Sequence, residues 1–196
     1  MTNRVLTEPV KQRRFSVQEY HQMADMGIFQ PTERLELIDG QIVTMSPQNP
    51  PHASTTARAG DYLRELIAGL AKIRSQLPVQ LHDFSEPEPD IAIVRSDRRD
   101  YADRHPTLSD IFLIVEVSDA TLDFDIGEKK LDYARSGIAD YWVIDINGER
   151  LFVFRNPAFS QYQTEMTLGL DAIISPLAFP SLEVLVARFF PPSLEE

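Results

Sequence analysis

Two acids and a lysine carry the strongest chemical signal in this chain. Asp90 opens the β-branched run DIAIV, Glu116 stands at the end of IFLIVEV, and Lys129 follows in a segment with helical character. An unpaired carboxylate beside a buried strand costs several kcal/mol, so each acid needs a compensating partner. Two carboxylates at strand ends can hold a hard divalent cation, Mg²⁺ or Mn²⁺, which keeps waters and bridges to a phosphate. Such a cation activates a water and stabilises charge developing on phosphorus, while a lysine orients that water or neutralises the transition state. The chemistry is phosphodiester hydrolysis. A structural reading also stands: strand-end acids form ion pairs, and Asp125 and Lys129, four apart with the acid first, suit a surface pair worth roughly 0.2–0.5 kcal/mol.

Other residues have two readings as well. Alternation puts Glu36 on the face opposite Leu35 and Leu37. That face is solvent if the leucines point inward, or else the mouth of the site. His52 opens a helix, where its ring reaches a phosphate or a carboxylate, or is simply structural. Tyr133 lies one turn past Lys129 and is either a hydrogen-bond donor to the site or a core aromatic. His21, His82 and His105 lack ligand spacing, which argues against zinc. Phosphate-loop, dinucleotide-binding and nucleophile-elbow motifs are missing, and with 8 glycines nucleotide-cradling loops are not expected.

The elements that must position these residues follow from patterning. Ser16-Val-Gln-Glu19 is a capping box for a helix running to Gly27. Asp39-Gly40 marks a hairpin within RLELIDGQIVTM. From His52, Leu63, Leu66, Ile67, Leu70, Ile73 and Leu77 predict one long amphipathic helix ending before Pro78. VQLH and DIAIV predict strands around the turn SEPEP. IFLIVEV, apolar throughout until its acid, predicts a central strand buried on both faces. Asp125-Ile-Gly-Glu128 predicts a capped helix through Lys129 and Tyr133, stopped by Gly137. YWVIDI and RLFVFR predict a hairpin about Asn147-Gly148, EMTLGL and AIIS weak strands, and SLEVLVARFF a last helix capped by Ser181. The order predicts one α/β domain, a central mixed β-sheet flanked by helices.

Composition sets the frame. The chain has 196 residues, 43% hydrophobic and 25% charged, which suits one globular domain. The lack of cysteine excludes disulfides and thiolate chemistry and is compatible with a cytoplasmic location. No apolar run is long enough to span a membrane. Residues 1–13 carry positive charge without an apolar core, so they read as a loose arm rather than a secretory signal. The net charge of −11 argues against a broad electrostatic grip on nucleic acid, although a bound metal reverses the local sign. Arg95, Arg98, Arg99 and Arg104 are interleaved with Asp97, Asp100 and Asp103, the pattern of a solvated mixed-charge loop.

ERLELIDGQIVTMSP, His52 opening a helix, PEPDIAIV, IFLIVEVSD and DIGEKKLDYARSGIADYWVID together resemble the Uma-two family of restriction-endonuclease-like bacterial proteins, within the PD-(D/E)xK nuclease superfamily. The likeness covers residues 14–190, leaving 191–196 as a tail. It implies a single-domain restriction-endonuclease-like fold and a Mg²⁺- or Mn²⁺-dependent endonuclease acting on nucleic acid, DNA in particular, with a homodimer in keeping with symmetric cutting. Asp90 and Glu116 match the two acids, and the carbonyl of Val117 is implied as a further metal ligand. Ser118 stands where the superfamily pattern has its lysine, and Lys129 on the following helix takes that role. Glu36 and His52 match positions near the site. The alternative is a catalytically degenerate module of the same fold that binds nucleic acid or a partner protein.

Overall fold

The computed structural model describes residues 12–192, so most of the expected arm (1–13) and of the tail (191–196) lies outside the described residues. The Ser16 hydroxyl accepts from the Glu19 amide and the Glu19 carboxylate from the Ser16 amide, and this capping box opens α1 (Val17–Asp25). Asp39 and Gly40 both take positive φ in the turn joining β1 (Leu35–Ile38) to β2 (Gln41–Thr44). Asn49 accepts from the His52 amide and caps α2 (Pro50–Leu66).

Apolar spacing predicts that this helix continues toward Leu77, but it ends at Leu66. Gly69 turns the chain at φ +80°, Ile73 lies in β3 (Lys72–Ser75), and Leu70 and Leu77 are exposed. A strand residue falls on the helical period by coincidence, and the glycine is the physical stop. VQLH is not a strand either. It makes only isolated bridges, Gln80 to Thr107 and His82 to Ser85.

β4 (Ile91–Val94) and β5 (Ile111–Ser118) follow as expected. The chain then crosses through α3 (Leu122–Phe124), a wide π turn (Asp125–Lys129) and α4 (Lys130–Ser136), which Gly137 closes at φ +86°. β6 (Asp140–Asp145), β7 (Arg150–Ala158) and β8 (Gln161–Leu168) complete the main sheet. β6 pairs with β7 only as far as Arg155, so Pro157, with no N–H to give, sits where β7 has a single neighbour. The expected last helix is instead β10 (Val184–Leu185), paired with β9 (Ile173–Ile174), and a 3₁₀ turn over Val186–Phe189.

The six strands lie in the order β3-β4-β5-β6-β7-β8 and are antiparallel except for β5 and β6, whose parallel pairing requires the helical crossover. This is a mixed-sheet α/β fold. On one face Ala59, Leu63 and Ile67 of the α2 region cover Ile91, Val115, Val117 and Trp142. On the other, Tyr133, Ala134 and Ile138 cover Ile114, Tyr141, Val143 and Phe154.

At the start of β6, fully buried Asp140 accepts from Trp142 Nε1 at 2.8 Å, Arg155 Nε at 2.8 Å and the Leu177 amide at 2.8 Å. The same guanidinium donates to the Ser175 carbonyl at 2.6 Å, tying the β9 region to the sheet. Asp140→Ala strands that arginine, and we expect a loss of about 3–5 kcal/mol in urea denaturation.

Candidate active site

The site begins where β4 and β5 part. Their ladder pairs Ile91 with Val115. One step further, side chains take over from the backbone. The Asp90 amide donates to Glu116 Oε2 at 3.2 Å, and the Val117 amide donates to Asp90 Oδ2 at 2.9 Å. Pro87 and Pro89, just before Asp90, have no N–H with which to extend the pairing. Each carboxylate thus satisfies an amide of the opposite strand across the fork. A third joins from the hairpin: Leu37 and Glu86 exchange backbone hydrogen bonds, and this places Glu36 so that its Oε2 accepts from the Glu88 amide at 3.1 Å.

Lys129 closes the cluster from the π turn. Its Nζ lies 3.0 Å from Glu36 Oε1 and 3.0 Å from Glu116 Oε1, and the Tyr133 hydroxyl donates to that same Glu116 oxygen at 2.8 Å. Of the two readings open for Glu36, the cleft is the one the fold takes: the side chain is buried, because the hairpin turns that face onto the cleft. Asp125 caps no helix and does not pair with Lys129; the helical run starts earlier, at Leu122, and the buried Asp125 carboxylate accepts from the Ser118 and Thr121 hydroxyls. Tyr133 is both a core aromatic and a donor into the site.

Burial holds the Glu116 carboxyl above the usual range, with Asp90, Asp125 and Glu36 adding to the effect and Lys129 opposing it. Burial also works against the Lys129 charge, but Glu116, Glu36 and Asp125 outweigh it and hold the ammonium protonated. Several carboxyl groups thus surround one cation, and burial raises the Asp125 carboxyl as well as that of Glu116. His52 Nε2 lies 3.2 Å from Asp90 Oδ2. The hydrogen bond to Asp90 raises the imidazole pKa against the cost of burial, with the Asp90 and Glu116 charges and the Val117 carbonyl adding to it.

Glu36, His52, Asp90, Glu116, Val117 and Lys129 all line one cleft of about 400 Å³. Sequence reasoning missed several of its other walls. Asp119, one residue past β5, satisfies the same strand-end logic as Glu116. It accepts from the Asn49 and Asn147 side-chain amides and so locks the start of α2 to the end of β5. Arg34 and Phe124 also line the cleft, with no prior signal beyond residue type.

Among the described residues, Asp39, His82 and Asp132 form a separate trio whose ligand atoms lie within 4.8 Å of one another. Arg14 and Arg135 already neutralise Asp39, and Ser85 donates to Asp132. His82 Nδ1 accepts from the Phe84 amide, and its Nε2 lies 3.4 Å from Asp132 Oδ1 with no hydrogen bond between them.

A forked mixed sheet that sets two acids beside a buried lysine defines a restriction-endonuclease-like α/β fold. The chain belongs to the Uma2 family, described as "Putative restriction endonuclease", whose profile matches residues 17–187. A solved structure from Anabaena variabilis ATCC 29413, described as a "putative nuclease belonging to DUF820", shares the fold with a TM-score of 0.70 at 17% identity, over 90% of this chain and 97% of that one. A search of curated proteins gave no match.

Removing the cation tests the cluster's electrostatics. Lys129→Met leaves Glu116 and Glu36 buried without a counter-charge, and we expect a loss of about 3–5 kcal/mol at neutral pH. Glu116 already has a raised folded pKa, and the substitution raises it further. Its contribution is therefore present below the ordinary glutamate range and lost as pH rises through the folded value. The deficit should narrow on acidification and recover in part in Lys129→Met/Glu116→Gln, both read by denaturation at several pH values.

Proposed function

We propose that this chain is a divalent-metal-dependent endonuclease that hydrolyses phosphodiester bonds of nucleic acid, DNA in the first instance. The observation that carries the reading is the cluster itself: Asp90 and Glu116 face one cleft beside a protonated lysine. The donor set fits a hard cation, since the two carboxylates and the Val117 carbonyl offer only oxygen, and burial has left Glu116 in need of a positive neighbour. Asp90, Glu116 and Val117 would hold it. Bound there, Mg²⁺ or Mn²⁺ would supply Lewis-acid polarisation of the phosphate and a more acidic water.

The remaining steps belong to the side chains. Lys129 keeps its proton, so it donates hydrogen bonds to the attacking water or to charge developing on phosphorus and does not act as the base. Glu36 fixes the direction of that ammonium from the hairpin side. His52 and the Val117 amide hold Asp90 Oδ2 in place. All these residues come from one chain. We read residues 14–190 as the single domain and the cytoplasm as its compartment. No described helix is long and apolar enough to cross a membrane.

A second reading, a module of this fold that binds nucleic acid or a partner protein without cleaving, is favoured by the acidic balance of the chain. A cleavage assay on single-stranded and duplex DNA with Mg²⁺ and Mn²⁺ separates the two. We expect metal-dependent cleavage that falls roughly 10²–10³-fold in Lys129→Met and in Asp90→Asn, both verified as folded. Metal-independent hydrolysis, or unchanged turnover in Lys129→Met, would sink the nuclease reading.

A further inference from the structure

The cleft's depth, charge and walls bear on which form of nucleic acid enters it. The site side chains lie at its floor: side-chain exposure is 3% for Glu36, 7% for Lys129, 13% for Asp90 and 16% for His52. An intact duplex is a stiff rod that does not bend locally to follow a cleft of about 400 Å³, whereas a single strand unstacks and bends into it. Among the described residues, the lining offers little grip for a duplex: Arg34 and Lys129 are its fixed cations, and Lys129 is neutralised by Glu36 and Glu116 while Arg34 faces Glu88 at 3.9 Å. Duplex binding normally rests on several lysine or arginine contacts to phosphates.

The walls offer something else. Val43, Met45 and Pro47 on the hairpin side, and Ala120 and Phe124 on the crossover side, line the same cleft as the acids. The Phe124 ring is half-buried and lies 6.0 Å from Lys129 Nζ, directly beside the candidate reaction centre. An apolar wall with an aromatic ring, next to a phosphate-handling floor, fits an unstacked nucleobase, whose faces stack on such surfaces without regard to sequence.

Resting on the phosphodiesterase reading of the same cleft, we infer that the site takes a single, unstacked strand of nucleic acid, with a base against the Phe124 and Met45 walls, and excludes intact duplex. Strand ends, gaps and loops are then the forms it engages.

The test is fluorescence anisotropy of the full chain in Ca²⁺, using labelled oligo-deoxythymidine, the same oligonucleotide annealed to oligo-deoxyadenosine, and oligo-uridine. The single strand should bind at least about tenfold more tightly than the duplex, and Phe124→Ala and Met45→Ala should each weaken it by about fivefold or more. Preference for the deoxy or the ribo strand names the source and supports the inference either way. Duplex binding as tight as single-strand binding would overturn it, as would single-strand affinity unchanged in both variants, or no binding by folded protein. Binding is read without turnover, so the two readings fail separately. A single-strand binder that never cleaves keeps this inference and loses hydrolysis, whereas cleavage of duplex at the single-strand rate keeps hydrolysis and loses this inference.

Discussion

One buried ammonium holds the centre of this molecule together. Lys129 reaches from the crossover and touches acids on two other elements, Glu36 on the hairpin and Glu116 on the central strand. Without it, several carboxylates would share a low-dielectric space with no fixed counter-charge beyond the half-buried His52. With it, hairpin, sheet and crossover are drawn to one point, and the point lies where the β4–β5 ladder gives way to side chains.

The fork is a consequence of chain chemistry. Pro87 and Pro89 cannot donate to a ladder, and the amides of Glu88, Asp90 and Val117 are left to find other acceptors. They find carboxylates, so each acid has a structural duty as well as an available chemical one. This dual use explains why the cluster survives burial. Every oxygen-bearing group in it is hydrogen-bonded, and the residual imbalance appears as the raised pKa of Glu116. The π turn matters for the same reason: the widened backbone carries Lys129 inward while Asp125, at its start, is held by Ser118 and Thr121.

Much of this was legible in the sequence because it rests on local rules. Asp39-Gly40 can make few turns other than the one it makes, and the continuous apolar run of IFLIVEV has to be covered on both faces, which marks Glu116 as an acid in need of a partner. Asp90 and Lys129 stood out for similar reasons. What was illegible depends on tertiary contacts. Alternation leaves Glu36 with two readings, solvent or the mouth of the site, and the packing of the hairpin against Glu86 and Glu88 decides for the second. Ile73 sits on a helical period but belongs to a strand, since Gly69 intervenes. Asp125 has the spacing of a cap, yet the helix starts a turn earlier and encloses it. SLEVLVARFF has helical spacing and a serine ahead of it, but Val184 pairs with Ile174 and the segment goes to a strand and a 3₁₀ turn.

The central claim is that Asp90 and Glu116 form a carboxylate metal site beside Lys129, and calorimetric titration of Mn²⁺ into the purified protein tests it most directly. The account predicts binding in the parent chain, loss in folded Asp90→Ala and Glu116→Ala variants, and no change in His82→Ala. An absence of binding in the parent, or binding that survives both carboxylate substitutions and disappears in His82→Ala, would contradict it.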